Sequence, residues 1–352
     1  MKYKSLTLSF ALSLTLSLLL PGCGKKEEPA EKTGTLKPDS SVSKTLVLQN
    51  PNQSFTLSYK LEKGKNFKYR LTTQQNESVQ LQTNDTTVQN NIIQRIIYSI
   101  SFSVDRIDKN NAAELTCNFT SVKLDADANG KKFKYESGQT KNNEELKPYS
   151  QYESITNNPF GIRISKSGDI IEVFRFEQII NKFISINGLQ DSINSKQKEN
   201  LRLSLTEATI KPLLSQIFRK FPEKQVAKDS SWSIPQEAIP LASLVMKSTS
   251  IFKITSLEKS NADTVAVIEG DMKTEVTGNQ AATDRGIQYY FDKPRVSGSG
   301  KIYFNLSDGR VQSSKTSTSM INSFSAQANS PQGLVKETQR KSSDNTIIVE
   351  AL

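Results

Sequence analysis

Apolar and polar residues alternate strictly along much of the chain. Tyr98, Ile100, Phe102 and Val104 are interleaved with Ser99, Ser101, Ser103 and Asp105, the period of two expected of a strand with one buried face. The same reading fits Phe67, Tyr69 and Leu71 against Lys68, Arg70 and Thr72 after a Lys63-Gly64-Lys65 turn, and Ile302, Phe304 and Leu306 before an Asp308-Gly309 turn. The pattern predicts a mainly β (α+β) chain: a large, twisted antiparallel sheet or pair of sheets from about residue 53 onward, either open or curled as a half-barrel.

A near-repeat divides this region into two halves. Val104-Asp105-Arg106-Ile107-Asp108-Lys109-Asn110-Asn111-Ala112 parallels Ile254-Thr255-Ser256-Leu257-Glu258-Lys259-Ser260-Asn261-Ala262, after which Leu115 and Cys117 match Val265 and Val267. Ser167-Gly168-Asp169-Ile170 resembles Asp308-Gly309-Arg310-Val311 at a different offset. Duplication and the ordinary likeness of any two hairpins both account for this. The expected organisation is a first β half at 53–175, a helical insert at 176–220 and a second β half at 221–352.

Within the insert the period becomes helical. Phe176, Ile179, Ile180, Phe183 and Ile184 share one stripe, and Gly188 is placed as a stop. A second helix is expected from about Asp191 to Thr209, and a third starting at Pro212, which carries Leu213, Leu214, Ile217, Phe218 and, at its end, Phe221. These stripes need a surface to cover. Packing directly on the sheet is the simpler arrangement, and a lid over an apolar groove is the sharper one.

The N-terminus carries an address. Lys2 and Lys4 precede an uncharged run from Ser5 to Leu20, the form of an export leader over residues 1–22. Leu20-Pro21-Gly22-Cys23 resembles the lipobox of bacterial lipoproteins, which implies cleavage before Cys23 and its acylation with palmitate-type chains. Pro21 departs from the usual small residue there. Several acyl chains on one Cys make an effectively permanent membrane anchor. Residues 23–52 are rich in Lys, Glu, Pro, Ser and Thr, the composition of a flexible tether. Gly24 beside the anchor resembles an outer-membrane sorting signal. Lys25-Lys26-Glu27-Glu28 resembles a surface-export tag, so periplasmic and surface exposure both remain open.

Composition narrows the chemistry. The 352 residues contain no His and two cysteines, Cys23 and Cys117, which removes His bases, His-dependent nucleophile arrangements and His-ligated metals. With Cys23 acylated, Cys117 has no disulfide partner and reads as a small buried hydrophobe. The net charge of +10 is spread along the chain. Nucleic acid is not an expected partner outside the cytoplasm, and solubility is the simpler reason for the basic balance than attraction to anionic headgroups.

Leu61-Glu62-Lys63-Gly64 leading into Phe67-Lys68-Tyr69, then Tyr135-Glu136-Ser137, then Phe221-Pro222-Glu223-Lys224 and Lys228-Asp229-Ser230-Ser231-Trp232 resemble an uncharacterised family of bacterial lipoproteins, the domain of unknown function 6263 family. Lys228 stands where that pattern has Gly. The resemblance spans most of the chain after the tether and brings no catalytic residues. The order of strands, helical insert and strands also resembles, distantly, the half-barrel carriers of lipoproteins and lipids.

Two chemical motifs need weighing. Asp125, Asp127 and Asn129, with Gly130 and then Glu136, satisfy the spacing of a calcium loop. The flanking residues read as strands, and Lys131 and Lys132 sit beside the ion position, so an Asn129-Gly130 hairpin turn explains the same residues. Ser195-Lys196-Gln197-Lys198, Ser343-Asp344-Asn345 and Lys32-Thr33-Gly34 imitate a β-lactamase set in the wrong order. No catalytic residue and no cofactor is therefore expected. The expected function is a non-catalytic carrier or binder of an apolar or lipid-like ligand, with Tyr98, Ile100, Phe102, Phe183, Ile184, Phe218 and Phe221 lining its cavity. The competing expectation is a structural or surface-interaction lipoprotein without a small ligand, in which case those residues are core.

Overall fold

The computed structural model describes residues 46–47, 53–139, 142–260, 263–331 and 333–352. The expected leader, Cys23 and all of the expected tether except Leu46–Val47 lie outside them. The chain order is β1 (Leu46–Val47), β2 (Asn66–Gln82), β3 (Thr87–Ile107), β4 (Ala113–Ala128) and β5 (Lys131–Glu136), then helices α1 (Asn143–Leu146) and α2 (Ser150–Ile155). The hairpin β6 (Phe160–Ile164) and β7 (Ile170–Phe174) leads into α3 (Glu177–Asn187), α4 (Ser195–Leu205) and α5 (Lys211–Ile217). Nine further strands follow: β8 (Ser231–Pro235), β9 (Ile239–Leu241), β10 (Leu244–Ser260), β11 (Asp263–Gly278), β12 (Ala281–Asp284), β13 (Ile287–Phe291), β14 (Arg295–Asn305), β15 (Arg310–Ser330) and β16 (Gly333–Ala351).

All sixteen strands join one open sheet with the main order β1-β10-β11-β14-β15-β16-β2-β3-β4-β6-β7. Every ladder between named strands is antiparallel. The alternation read in the sequence is the reason. Along β3, Ile96, Tyr98, Ile100, Phe102 and Val104 are buried while the residues between them are part-exposed, so the register puts one apolar set under the helices. Free edges are short or charged, as in β5 with Lys131, Lys132 and Lys134, which discourages pairing with another chain.

The two halves are structural repeats. β2-β3-β4-β6-β7 corresponds to β8-β10-β11-β14-β15, and neighbours in one set are neighbours in the other. A bulge leaves Asp105 unpaired between Val104 and Arg106, and another leaves Thr255 unpaired between Ile254 and Ser256. Ile171 and Gln312 are the extra residues at the second pair of bulges, each three residues after a turn glycine of positive φ, Gly168 or Gly309. Stacked aromatics repeat as well: Phe67 on Phe102 at 5.1 Å and Trp232 on Phe252 at 5.5 Å. Ahead of each pair the chain turns through a left-handed residue, Gly64 or Asp229, and the next residue bonds back to Glu62 or Ala227. The match of Leu115 and Cys117 with Val265 and Val267 is corrected by three residues. Leu115 lies opposite Val104 and Ile268 opposite Ile254, because the β10–β11 hairpin runs further beyond its bulge. β16 belongs to neither repeat and joins β15 to β2.

The helical insert differs from its expected outline. Asn194 caps α4 in a reciprocal capping box with Gln197, so that helix begins at Ser195 rather than near Asp191. α4 and α5 are not separate helices: a π turn, Thr206–Ile210, connects them, and Pro212 sits in the first turn of α5 where its missing N–H is harmless. Helices α1 and α2 were not expected, since neither is long enough to show a helical stripe. Among the described residues no helix is long and apolar enough to cross a membrane.

Candidate ligand-binding face

The face that carries the helices has two regions. At its base, the predicted cavity residues pack against other side chains, and two of them, Phe102 and Phe218, meet each other directly. Tyr98, Ile100, Phe102, Ile184, Phe218 and Phe221 are all buried, and Phe183 is half-buried. The Phe218 ring lies 5.2 Å from Phe102 and 6.4 Å from Phe67, edge to face in both cases, the geometry favoured by aromatic quadrupoles. Phe221 packs 4.9 Å from Phe304. Tyr59, which the sequence did not single out, is the hub: its ring touches Phe218, Phe221 and Phe304, and its hydroxyl donates to the carbonyls of Ile217 and Arg219 at 3.2 Å. At these positions the helices pack directly on the sheet. A cavity of about 330 Å³ lined by Thr116, Pro159, Phe160, Arg175, Glu177 and Gln178 lies elsewhere, next to β4 and β6.

Further along the strands the same face continues beyond the helices. In β2 and β3 it presents Val79, Leu81 and Ile92, and in β5 Phe133, all part-exposed. On the other side, Leu241, Leu244 and Met246 form a buried cluster against which Ile239, Val276, Phe291, Val296 and Met320 pack with part of their surface open. Between these apolar regions, β16 is polar on this face: Gln339, Lys341, Ser343 and Asn345 precede Ile347 and Val349. Lys341 pairs with Glu77 at 2.9 Å, with side chains only 24% and 9% exposed, and Gln75 donates to the Glu77 carboxylate at 3.3 Å. Sequence reading missed this strip because β16 alternates polar with polar, which leaves no period of two to detect.

The calcium spacing is a hairpin. Asn129 and Gly130 both have left-handed backbone, and the Asp127 carboxylate accepts the Gly130 N–H at 2.7 Å. Asn129 accepts the Asn91 N–H at 2.7 Å, Asp125 faces Lys134 at 3.9 Å and Glu136 pairs with Lys123 at 2.7 Å. The register turns these groups to cross-strand partners instead of to one point. Cys117 is buried, and burial pushes its thiol pKa up, which keeps it an inert thiol. Burial likewise raises the Tyr59 and Tyr98 hydroxyls well above their ordinary range.

Arg219 is the reverse case. One terminal guanidinium nitrogen is buried without a partner, and desolvation pushes the pKa down to about 10, so at neutral pH the fold carries a poorly solvated charge. Its Nε donates to the Gln216 carbonyl at 3.2 Å, and the contact with Tyr59 uses the Arg219 main chain. Arg219→Met is therefore expected to leave the melting temperature unchanged or raise it; a fall of several degrees would show that the guanidinium is a net stabiliser.

The family model of the Family of unknown function (DUF6263) matches residues 110–311, more than half of the chain. The chain belongs to this family. Within the DUF6263 match lie the whole helical insert and one bulge residue of each pair, Thr255 and Ile171, while Asp105 and Gln312 stand just beyond its two ends. No curated protein matches the sequence. Among solved structures the DUF6263 chain has a distant likeness to lipovitellin, a structure concerned with lipid–protein interactions, at 11% identity and a TM-score of 0.35 over 81% of this chain. It spans only 25% of the lipovitellin chain. An outer membrane channel from Pseudomonas putida F1 (7% identity, TM-score 0.16, 84% of this chain and 97% of that one) and OccK2 of Pseudomonas aeruginosa (7%, 0.17, 81% and 97%) are also similar.

Proposed function

We propose that this protein is a lipid-anchored component of the bacterial cell envelope, held at the outer membrane through Cys23, and that it binds an apolar or lipid-like ligand without catalysing a reaction. The observation that carries the reading is the uncovered part of the helix-bearing face, where Val79, Leu81, Ile92 and Phe133 on one side and Met320 and Phe324 on the other keep part of their apolar surface open. Binding surfaces for such ligands are mostly apolar with a few placed polar groups, and this face has that composition. The aromatic base supplies the rigid support, because its rings are already packed against one another.

Lipid extraction and native mass spectrometry of the purified protein test the reading: a co-purifying lipid, or saturable binding of an apolar fluorescent probe, is expected. Absence of both would favour the second reading, a structural or surface-interaction lipoprotein. That alternative draws on the exposed apolar residues near the strand tips, Val88, Leu334 and Val335. Anchoring has its own test. Cys23→Ser is expected to move the protein from the membrane to the soluble fraction, and unchanged partition would remove the lipoprotein assignment.

A further inference from the structure

The register arranges polar side chains as an island inside the apolar face. Going along the strands from the base, the row Ile96, Thr73, Ile347, Thr316 on β3, β2, β16 and β15 is followed by Gln94, Gln75, Asn345 and Thr318. The next same-face row is Ile92, Glu77, Ser343 and Met320, and two rows further the face becomes apolar again at Val88, Leu81 and Phe324, with Gln339 among them. Apolar side chains thus stand on both sides of the polar island along the strands. Across the strands it is flanked by Ala126 and Phe133 on one side and by Val296, beside Met320, on the other.

The chemistry of the island is specific. Glu77 and Lys341 neutralise each other at 2.9 Å, and the other polar groups are carboxamides and hydroxyls. Glu337, nearer the rim on β16 and facing the same way opposite Ala326, adds negative charge. Lys131, in line with Ile92 on β5 and over the Phe133 ring at 5.3 Å, is a single cation at the flank that balances Glu337, so the Gln94–Gln75–Asn345 row itself offers a phosphate or sulfate no cluster of cations. Carboxamides offer a donor and an acceptor side by side, the complement of hydroxyl groups, which also do both. Among the described residues the amides of Gln94, Gln339 and Asn322 hydrogen-bond to no other protein side chain or carbonyl, whereas Asn345 reaches Ser343 at 3.1 Å. These amides are part-exposed, and a ligand that displaces their water keeps its affinity only if its own groups replace those hydrogen bonds.

We propose that the ligand is an amphiphile with an uncharged, polyhydroxylated headgroup of glycosyl type, its headgroup on the Gln94–Gln75–Asn345 row and its chain on the flanking apolar surface. This rests on the reading of the face as a ligand-binding surface. Equilibrium binding to the full-length protein, below the micelle concentration, would compare three amphiphiles with the same dodecyl chain: dodecyl maltoside, dodecylphosphocholine and dodecyl sulfate. The maltoside is expected to bind about tenfold tighter than the other two, the gain of one or two good hydrogen bonds. In the variant Gln75→Leu/Asn345→Leu that preference is expected to vanish while binding of the uncharged probe N-phenyl-1-naphthylamine persists. Equal affinity for all three headgroups, or preference for the zwitterion or the sulfate, overturns the inference and leaves apolar binding intact. Failure of every amphiphile and of the naphthylamine probe overturns the inference and the proposed function together. The headgroup comparison uses the unaltered protein, so it decides the matter even if the double variant does not fold.

Discussion

Phe102→Ala is expected to destabilise the protein by about 3–5 kcal/mol, more than the equivalent truncation in the second repeat. Phe102 is 2% exposed and its ring contacts Phe67, Tyr69 and Phe218, so removing it opens a cavity walled on one side by a strand and on the other by the end of α5. Neither wall can collapse easily, because Tyr69 is pinned by a 2.6 Å hydrogen bond from its hydroxyl to the Val311 carbonyl. Phe252 occupies the corresponding place in the other repeat, stacked on Trp232, but its ring is part-exposed and lies over Gly270. Phe252→Ala therefore loses less buried area, about 1–2 kcal/mol. Urea unfolding of the two variants measures the difference. Equal losses would mean that the helical insert adds nothing to the packing of the first repeat.

The contrast shows which parts of the fold were written in the sequence. β2, β3 and β14 were legible because one face of each is buried and the other wet, which prints a period of two. The duplication was legible in the residues around the bulges, since Val104 to Ala112 and Ile254 to Ala262 carry the same turn chemistry. Its register was not: nothing local says how far a hairpin continues past a bulge, and the three-residue correction came from the pairing of Ile254 with Ile268. The aromatic residues expected as ligand contacts lie at the helix-bearing face, and apolar periodicity is the same for a ring against a ligand and a ring against another ring. Phe102 and Phe218 meet each other at 5.2 Å. The candidate binding strip lay where the sequence is polar on both faces, around Gln75, Glu77, Lys341 and Asn345, so only the neighbours to which the register joins them identify the side they face.

Gly168→Ala and Gly309→Ala are expected to be strongly damaging, about 3 kcal/mol or more for the first. Both turns receive the strap that follows β1: the Tyr59 N–H bonds to the Lys166 carbonyl and the Lys60 N–H to the Gly309 carbonyl, so adjacent residues of one segment tie the same turn of each repeat. At Gly168 the backbone has φ +98°, and a Cβ there would stand 2.2 Å from the Arg219 carbonyl oxygen and 2.7 Å from the Tyr59 ring. The obstacle is main chain, which cannot rotate away as a side chain does. Relief requires the turn to lift, and that breaks the Phe221 N–H bond to the Ser167 carbonyl at 2.9 Å, loosening the end of the helical insert from the sheet. At Gly309, φ is +61° and a Cβ would lie 2.5 Å from the Lys60 nitrogen, so the strap must shift there too. Gly64 and Gly130 are the controls, with φ of +82° and +85° and nothing within 4 Å of an added Cβ; Ala at either pays only the left-handed backbone cost, about 1–2 kcal/mol. Thermal and urea unfolding of the four variants separates the two contributions. If Gly168→Ala loses no more than Gly130→Ala, the strap does not clamp the repeats, and the helices must be held to the sheet by their aromatic contacts alone.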